Sequence, residues 1–247
     1  SDRMTLKAIP HAQTGGKDTN DKGSNTSQSS SGGSSYGRML NTAPSGGSFA
    51  SGSKKVTEIG TVSAAAIVKD AVKAAQISKG GSAVVRTQNA VSITPDALRQ
   101  LAQAGADSKK TVTLHADTIW KGAVQGRLYV DTAALSGAAQ AVGLGVYTDP
   151  AKTAPVSRRF NRYYENTMRV VALEQQGSFG VALEIAAKLD LTGLNTESLV
   201  FYSYDVKTNT YTRLENTSYW VEANGYLHFR TVLAGSILVT DHALTRK

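Results

Sequence analysis

The sequence predicts a mainly β fold: a β-sandwich of about nine or ten short strands with two helices near its N-terminal side. Runs of alternating apolar and polar residues recur from residue 111 onward. Turn residues separate these runs, and Asn224-Gly225 between two of them is a strong short-range hairpin signal. Two amphipathic helical patterns precede the first long run. We therefore expect one ordered domain, 56–247, preceded by a tail, 1–55.

The tail is predicted to be a flexible, Ser/Gly-rich, basic linker. Ser, Gly, Asn and Thr dominate residues 24–53, and residues 1–55 carry seven Lys/Arg against three Asp/Glu. Such a composition buries too little apolar surface to offset the entropy lost when the backbone is ordered. Apolar residues in the tail are isolated and show no periodicity.

Two helices are predicted before the strand-rich part. The pattern over 62–79 gives one apolar face at helical spacing, with Ser63 as the N-cap and Gly80-Gly81 as the stop. The second helix begins at Thr94-Pro95-Asp96, because Thr caps well, Pro is preset for the first position and Asp suits the positive helix end. It ends at Gly105.

Period-two alternation predicts the strands, and Asp149-Pro150 ends one of them before a polar connection, 151–166. Read as a two-residue loop, Asn224-Gly225 places Trp220 opposite Phe229 on the neighbouring strand. The predicted strands are 83–87, 111–117, 124–130, 142–147, 168–173, 180–189, 199–205, 210–214, 219–222, 226–231 and 236–240.

Two segments, 111–149 and 169–205, share an order of features: an alternating strand, a Gly-containing turn, a strand ending in an apolar residue and Asp, and a final strand ending near Tyr and Asp. This weak internal repeat predicts two related β-layers packed face to face rather than a solenoid, which needs three or more units.

Composition excludes several classes of protein. The absence of Cys removes disulfide frameworks, zinc–thiolate sites and Cys nucleophiles. No apolar run approaches the ~20 residues that a membrane-spanning helix needs. The start has no charged region followed by an apolar stretch, so a signal peptide was absent or removed. The net charge of +8 includes no block of five or six basic residues, which does not favour a nucleic-acid partner.

No catalytic or cofactor motif is found. His115 and Asp117 share the polar face of a strand and are expected to face solvent. No phosphate-binding loop, dinucleotide fingerprint or nucleophile elbow occurs between a strand and a helix. The sequence therefore predicts no enzyme, no cofactor and no metal site. A hydrolase would require His115 or His228 to meet a carboxylate and a nucleophile in one cleft.

Aromatic residues are the best candidates for binding. Tyr and Trp concentrate in the strand-rich part, and most are expected to pack between strands. An exposed indole or phenol ring on a strand or loop can instead stack on a sugar or contact a protein. Trp120, in a loop between strands, is the first choice, and the predicted set of ligand-binding residues is Trp120, Tyr163, Tyr164 and Trp220.

The stretch from Leu199 to Asp241, with YSYD before a hairpin and GYLHF…ILVTD after it, resembles the terminal β-rich modules of exported cell-surface proteins of Gram-positive gut bacteria. The resemblance plausibly extends back to Ala83, through AVVRT and GRLYVD. It implies export and a wall- or matrix-facing location, with the tail as a spacer. The shared motifs are structural, so the resemblance supplies no functional residues.

Together these observations predict a non-enzymatic module, secreted or at the bacterial cell surface, whose partner is a protein or a glycan. Two alternatives stay open: a hydrolase acting on a surface polymer, and a filament or assembly subunit whose tail docks in a neighbouring copy.

Overall fold

The chain is mainly β, with three helices. The computed structural model describes residues 5–6 and 58–247, so the predicted tail lies outside it except for Thr5–Leu6. The helices are α1 (Thr61–Ile77), α2 (Pro95–Asp107) and α3 (Pro150–Tyr163). The described residues form fifteen strands in three sheets, more strands than predicted because five of them have only two residues each.

Sheet I has six strands in the order β1-β12-β11-β15-β9-β8. Its edge strand β1 pairs in parallel with β12, with Thr5 opposite Thr210. Its strands are β1 (Thr5–Leu6), β8 (Val146–Tyr147), β9 (Arg169–Leu173), β11 (Val200–Asp205), β12 (Thr210–Leu214) and β15 (Ser236–Thr240).

Sheet II has six strands in the order β13-β14-β10-β6-β5-β3. Its strands are β3 (Ser82–Gln88), β5 (Thr111–Trp120), β6 (Ala123–Asp131), β10 (Ser178–Lys188), β13 (Tyr219–Val221) and β14 (Tyr226–Leu233). Sheet III is small and contains β2 (Glu58–Ile59), β4 (Ser92–Ile93) and β7 (Val142–Gly143).

One large apolar cluster joins sheets I and II with α1 and α2. Sheet I contributes Val171 and Phe201, and sheet II contributes Leu114 and Phe229, all buried. The rings of Phe201 and Phe229 lie 5.3 Å apart between the two sheets. Helices α1 and α2 add Ile67, Ala71, Leu98 and Leu101 to the same cluster. This arrangement is consistent with the predicted β-sandwich.

The outer face of sheet I is covered by α3. Phe160 packs edge-on against Tyr204 with ring centroids 5.0 Å apart, and against Tyr211 at 5.8 Å. Val156, Tyr164 and Leu238 complete this second apolar cluster. Tyr202 and Tyr204 share this face and are buried, as expected for most of the aromatic residues in the strand-rich part.

The polar connection predicted at 151–166 is wrong over most of its length, because Pro150–Tyr163 is helical. Asp149 caps this helix by accepting the N–H groups of Ala151 and Lys152, and Pro150 occupies the first position. Val156 and Phe160, four residues apart, form its buried face.

Two smaller predictions are also wrong. Helix α1 begins at Thr61 after Gly60, so Ser63 lies inside the helix and is not its N-cap. Trp220 pairs with His228, one position from the predicted register, because Glu222 N–H bonds to Tyr226 O and leaves a three-residue loop ending in Gly225 at φ 86°.

The predicted repeat does not correspond to two layers. In the second segment, β9 and β11 belong to sheet I whereas β10 between them belongs to sheet II. The first segment instead places β5 and β6 side by side in sheet II. The shared features reflect similar strand and turn composition, not a duplicated layer.

Candidate binding site

A cleft of about 550 Å³ opens where β8 of sheet I lies against β5 and β6 of sheet II. Residues from six places along the chain meet there: the loop after β3, the end of β5, the start of β6, the end of β8, the first turn of α3, and the residue after β9. Its principal side chains are Asn89, Trp120, Gln125, Tyr147, Lys152 and Glu174.

At the wall of this cleft, β8 lies very close to β5 and β6. The hydroxyl of Thr118 accepts the N–H of Val146 at 2.9 Å, which ties β5 to β8. A Cβ added to Gly126 on β6 would lie 2.4 Å from Val146 Cγ1 and 2.6 Å from its carbonyl oxygen. Glycine at this position therefore allows the two sheets to approach here.

Amide side chains fix the loops around the cleft. Gln125 Oε1 accepts the N–H groups of Thr148 at 2.8 Å and Asp149 at 2.9 Å, and so places the start of α3. Asn89, at φ 52°, accepts the N–H of Ile119 at 2.8 Å through its side-chain oxygen. These buried or half-buried bonds make the cleft a feature of the folded framework.

Tyr147 and Glu174 form a polar pair on the cleft wall. The Tyr147 hydroxyl donates to Glu174 Oε2 at 2.9 Å. Burial, together with the hydrogen bond and the charge of Glu174, raises the pKa of Tyr147 above its usual value. The phenol therefore stays neutral, and the remaining carboxylate oxygen of Glu174 can accept a hydrogen bond from a ligand hydroxyl.

Two lysines lie over the two aromatic rings of the cleft. Lys121 Nζ is 4.4 Å from the centroid of Trp120, and Lys152 Nζ is 4.7 Å from the centroid of Tyr147. Both lysines are exposed. The cleft thus combines ring faces, hydrogen-bond acceptors and ammonium groups, which together suit a hydroxyl-rich ligand with a polar or anionic substituent.

The four predicted ligand-binding residues lie in different environments. Trp120 is 40% exposed at the rim of the cleft. Tyr163, at the end of α3, is 38% exposed and lies outside the cleft lining. Tyr164 is 3% exposed, and its hydroxyl donates to Tyr211 at 2.9 Å. Trp220 stacks on His228 at 4.5 Å. The structure does not bring these four side chains together.

The outer face of sheet II carries a buried ionic pair. Arg127 on β6 and Asp117 on β5 are cross-strand partners, 0% and 2% exposed, and their side chains meet in two hydrogen bonds, one of them 2.9 Å long. Burial alone would lower the pKa of Arg127, but the hydrogen bond and the charge of Asp117 outweigh it and raise the pKa. The expectation that Asp117 faces solvent is wrong.

His115 is 0% exposed on the same face, so the expectation that it faces solvent is also wrong. Its ring lies 4.7 Å from that of Tyr129, edge to face. Burial, with the nearby charges of Arg127 and Arg86, lowers its pKa to about 2. His115 is therefore a neutral side chain at physiological pH.

His228 lies between two carboxylates. Its Nδ1 is 3.0 Å from Glu184 Oε1 and its Nε2 is 2.6 Å from Glu222 Oε1. The ring therefore links Glu222, which follows β13, and Glu184 on β10 through β14. The ring is buried under Trp220, and neither His228 nor His115 lines the cleft at Trp120.

Three comparisons bear on identity. Searches of protein-family models, curated proteins and solved structures find no match for this chain. Within residues 5–6 and 58–247, no helix has the length and apolar content needed to cross a bilayer. In the same part of the chain, no three His, Asp or Glu side chains gather as a metal site.

Sequence reasoning missed most of the cleft. Gln125, Tyr147, Asp149 and Glu174 are scattered over about fifty residues, and no local spacing links them. One signal was present: Asp149-Pro150 has the same form as Thr94-Pro95, which was correctly read as a helix start. Treating it as a helix start would have placed Lys152 on the first turn.

Proposed function

We propose that the chain is a β-sandwich binding module, secreted or at the bacterial cell surface, that holds a saccharide in the cleft at Trp120. The observation that carries the proposal is the half-exposed indole of Trp120 at the rim of a cleft walled by hydrogen-bonding side chains. Indole rings stack on the apolar faces of sugars while their edges stay wet. The resemblance of the strand motifs supports the location.

The cleft chemistry favours a sugar over a purely apolar ligand. Glu174 and Asn89 offer side-chain oxygens, and Lys152 offers donors, around one aromatic rim. A ring with several hydroxyl groups can bond to the remaining acceptor sites of these oxygens, whereas an apolar ligand would displace water from them without replacing its hydrogen bonds.

The test is affinity electrophoresis of the full chain through gels containing polysaccharides of different composition, neutral and acidic. At least one polysaccharide should retard the protein, and Trp120→Ala should abolish the retardation because the stacking surface is lost. Trp220→Phe is the matched control, since it removes the other indole but keeps a ring against His228. Equal retardation of the parent and Trp120→Ala by every polysaccharide would refute the proposal.

The assembly alternative has one supporting observation. Thr5–Leu6 adds a parallel strand to the edge of sheet I beside β12, although fifty-one residues separate it from β2. A strand joined to the domain by so long a connection can reach the same sheet edge of a neighbouring copy. Light scattering of the full chain and of a version lacking residues 1–57 tests this: concentration-dependent oligomers of the full chain alone would support assembly, and monomers of both would exclude it.

The hydrolase alternative finds no such support in the described residues. His228 does meet carboxylates, but its ring is buried and both nitrogens are occupied by Glu184 and Glu222. This arrangement fixes strands rather than presenting a base to a substrate.

A further inference from the structure

Helix α3 carries a concentration of positive charge. Residues 150–164 include Lys152, Arg158, Arg159 and Arg162 but no Asp or Glu. Lys152, Arg158 and Arg162 are exposed. The rest of residues 56–247 carries sixteen Lys/Arg and sixteen Asp/Glu, so this helix is a distinct feature of that part of the chain.

Two of these basic residues lie on the side of α3 that faces away from sheet I. Val156 and Phe160 face sheet I and are buried. Arg158 and Arg162, one turn apart, lie on the opposite side of the helix, where neighbouring side chains at this spacing have Cβ atoms about 5 to 6 Å apart. They form the centre of an outward basic stripe.

The last residues of the chain extend this stripe. Lys247 N–H donates to the carbonyl of Tyr163 at 3.1 Å, and its Nζ donates to the carbonyl of Asn161 at 2.8 Å. Arg246 forms a β-bridge with Tyr164 and is exposed. We use "the α3 basic stripe" for Lys152, Arg158, Arg162, Arg246 and Lys247.

The α3 basic stripe lacks internal neutralisation. Among the described residues, none of its five members forms an ion pair with a carboxylate. The negative end of the helix dipole favours Arg162, but the positive end disfavours Lys152. The helix dipole therefore accounts for Arg162 but not for Lys152. No ion pair with a carboxylate offsets the repulsion among the five positive charges.

The stripe reaches the cleft at Lys152, which lies four residues before Val156 and therefore on the side of α3 nearer sheet I, whereas Arg158 and Arg162 face outward. Lys152 lines the cleft from the first turn of α3, and Arg158 and Arg162 follow toward the other end of the same helix. Fourteen helical residues extend about 20 Å. A polymer whose sugar ring occupies the cleft at Trp120 therefore has a basic track of several sugar units beside it.

We infer that the ligand of this site is an acidic polysaccharide, whose ring stacks at Trp120 and whose repeating carboxylate or sulfate groups contact the α3 basic stripe. The inference rests on the proposed function and adds the class of ligand. A DNA duplex fits less well, because its internal sugars have no free hydroxyl group to donate to Glu174, whereas each ring of a polysaccharide carries such groups.

The experiment measures affinity of the full chain for polygalacturonate, heparin, a neutral panel of dextran and mannan, and a short DNA duplex, from low to physiological ionic strength. The variant is Arg158→Gln/Arg162→Gln. The matched control is Lys69→Gln/Lys73→Gln, which removes the same charge from two exposed residues one turn apart on α1. Trp120→Ala is measured in parallel.

Polygalacturonate or heparin should bind more tightly than the neutral panel, with affinity that falls as salt increases. Arg158→Gln/Arg162→Gln should lower this affinity roughly tenfold, and the Lys69/Lys73 control should leave it within about twofold. Binding of polygalacturonate would show that carboxylate groups suffice, and binding of heparin alone would show that sulfate groups are needed.

Each of the following outcomes would contradict one part of the proposal. Equal affinities of the arginine variant and the lysine control overturn the role of the stripe. Binding of DNA as tight as that of either acidic polysaccharide overturns the assignment to a polysaccharide. Binding of a neutral polymer that depends on Trp120 but not on the arginines overturns this inference and leaves the proposed function intact. Unchanged binding of every polysaccharide by Trp120→Ala overturns the proposed function itself.

Discussion

The two tryptophans of the chain lie in the same sheet and have different roles. Trp120 ends β5 with its indole at the rim of an open cleft. Trp220 lies on β13 with its indole stacked over buried His228. The difference teaches that the neighbours across the strands, and not the residue type, decide whether an aromatic ring is exposed at a cleft or packed against another side chain.

The charges around the two indoles differ in the same way. Beside Trp220, the charged groups are satisfied by one another, because Glu184 and Glu222 both contact His228. Beside Trp120, exposed Lys121 and Lys152 contact only ring faces among the described residues. The first region therefore supplies stability, whereas under the proposed function the second leaves charge available for a ligand.

The largest effect is expected at the buried ion pair. Asp117→Ala should lower the free energy of unfolding by about 3 to 5 kcal/mol, because it leaves the buried guanidinium of Arg127 without its carboxylate. Asp117→Leu/Arg127→Met should lose much less, since both charges are removed. Urea denaturation measures both, and a double variant as unstable as the single one would show that the ion pair is not what holds this face.

His115 should make stability depend on pH. Its folded-state pKa of about 2 lies below the usual 6.5, so the unfolded chain gains a proton that the folded chain does not as the pH falls. The contribution is present above pH 6.5 and is lost toward pH 2, by about 1.4 kcal/mol per pH unit.

Carboxylates also titrate as the pH falls, so the contribution of His115 is measured as the difference between the parent chain and His115→Phe. Between pH 6.5 and 4.5 the parent chain should lose about 2 to 3 kcal/mol more than the variant does. Parallel curves for the two proteins, measured by urea unfolding at each pH, would mean that His115 is charged in the folded chain.

A moderate effect is expected where sheets I and II meet at the cleft. Gly126→Ala places a methyl group against Val146, so the strands must move apart at a cost of about 1 to 3 kcal/mol. Gly137→Ala, where an added Cβ meets nothing within 4 Å, is the control. The two melting temperatures should differ clearly; if they coincide, the close approach of β6 and β8 is not needed.

The smallest change in stability is expected at Trp120. Its ring is half exposed, and Trp120→Ala should alter the unfolding free energy by less than about 0.5 kcal/mol. Trp220→Ala should cost more, because it uncovers His228. A larger loss for Trp120→Ala than for Trp220→Ala, in matched thermal melts, would reverse the roles assigned to the two indoles.

Local patterns predicted much of the fold. The hairpin from Asp205 to Thr210 and the last strand, Ser236–Thr240, are found at their predicted places, because alternation and turn residues act over few positions. Thr94-Pro95 likewise marked the start of α2. Helix α3 was missed because Asp149-Pro150 was read only as the end of a strand, although it is itself a helix start.

The site depended on contacts that sequence cannot show. Asp117 stands on the polar side of its alternating strand, and only the register with β6 places Arg127 beside it and buries both. Tyr147 and Glu174 are twenty-seven residues apart and meet because β8 pairs with β9. Trp120 could be selected from its place between two strands, but the groups around it could not.

The central claim is that the cleft at Trp120, and not the region at Trp220, receives the ligand. Because the chain has only two Trp residues, Trp220→Phe and Trp120→Phe each leave one fluorescent indole. Titration with whichever acidic polysaccharide binds the full chain should shift the emission of Trp120 in the Trp220→Phe protein and leave the emission of Trp220 unchanged. A response of Trp220 with none from Trp120, in proteins that both retain binding, would contradict the account.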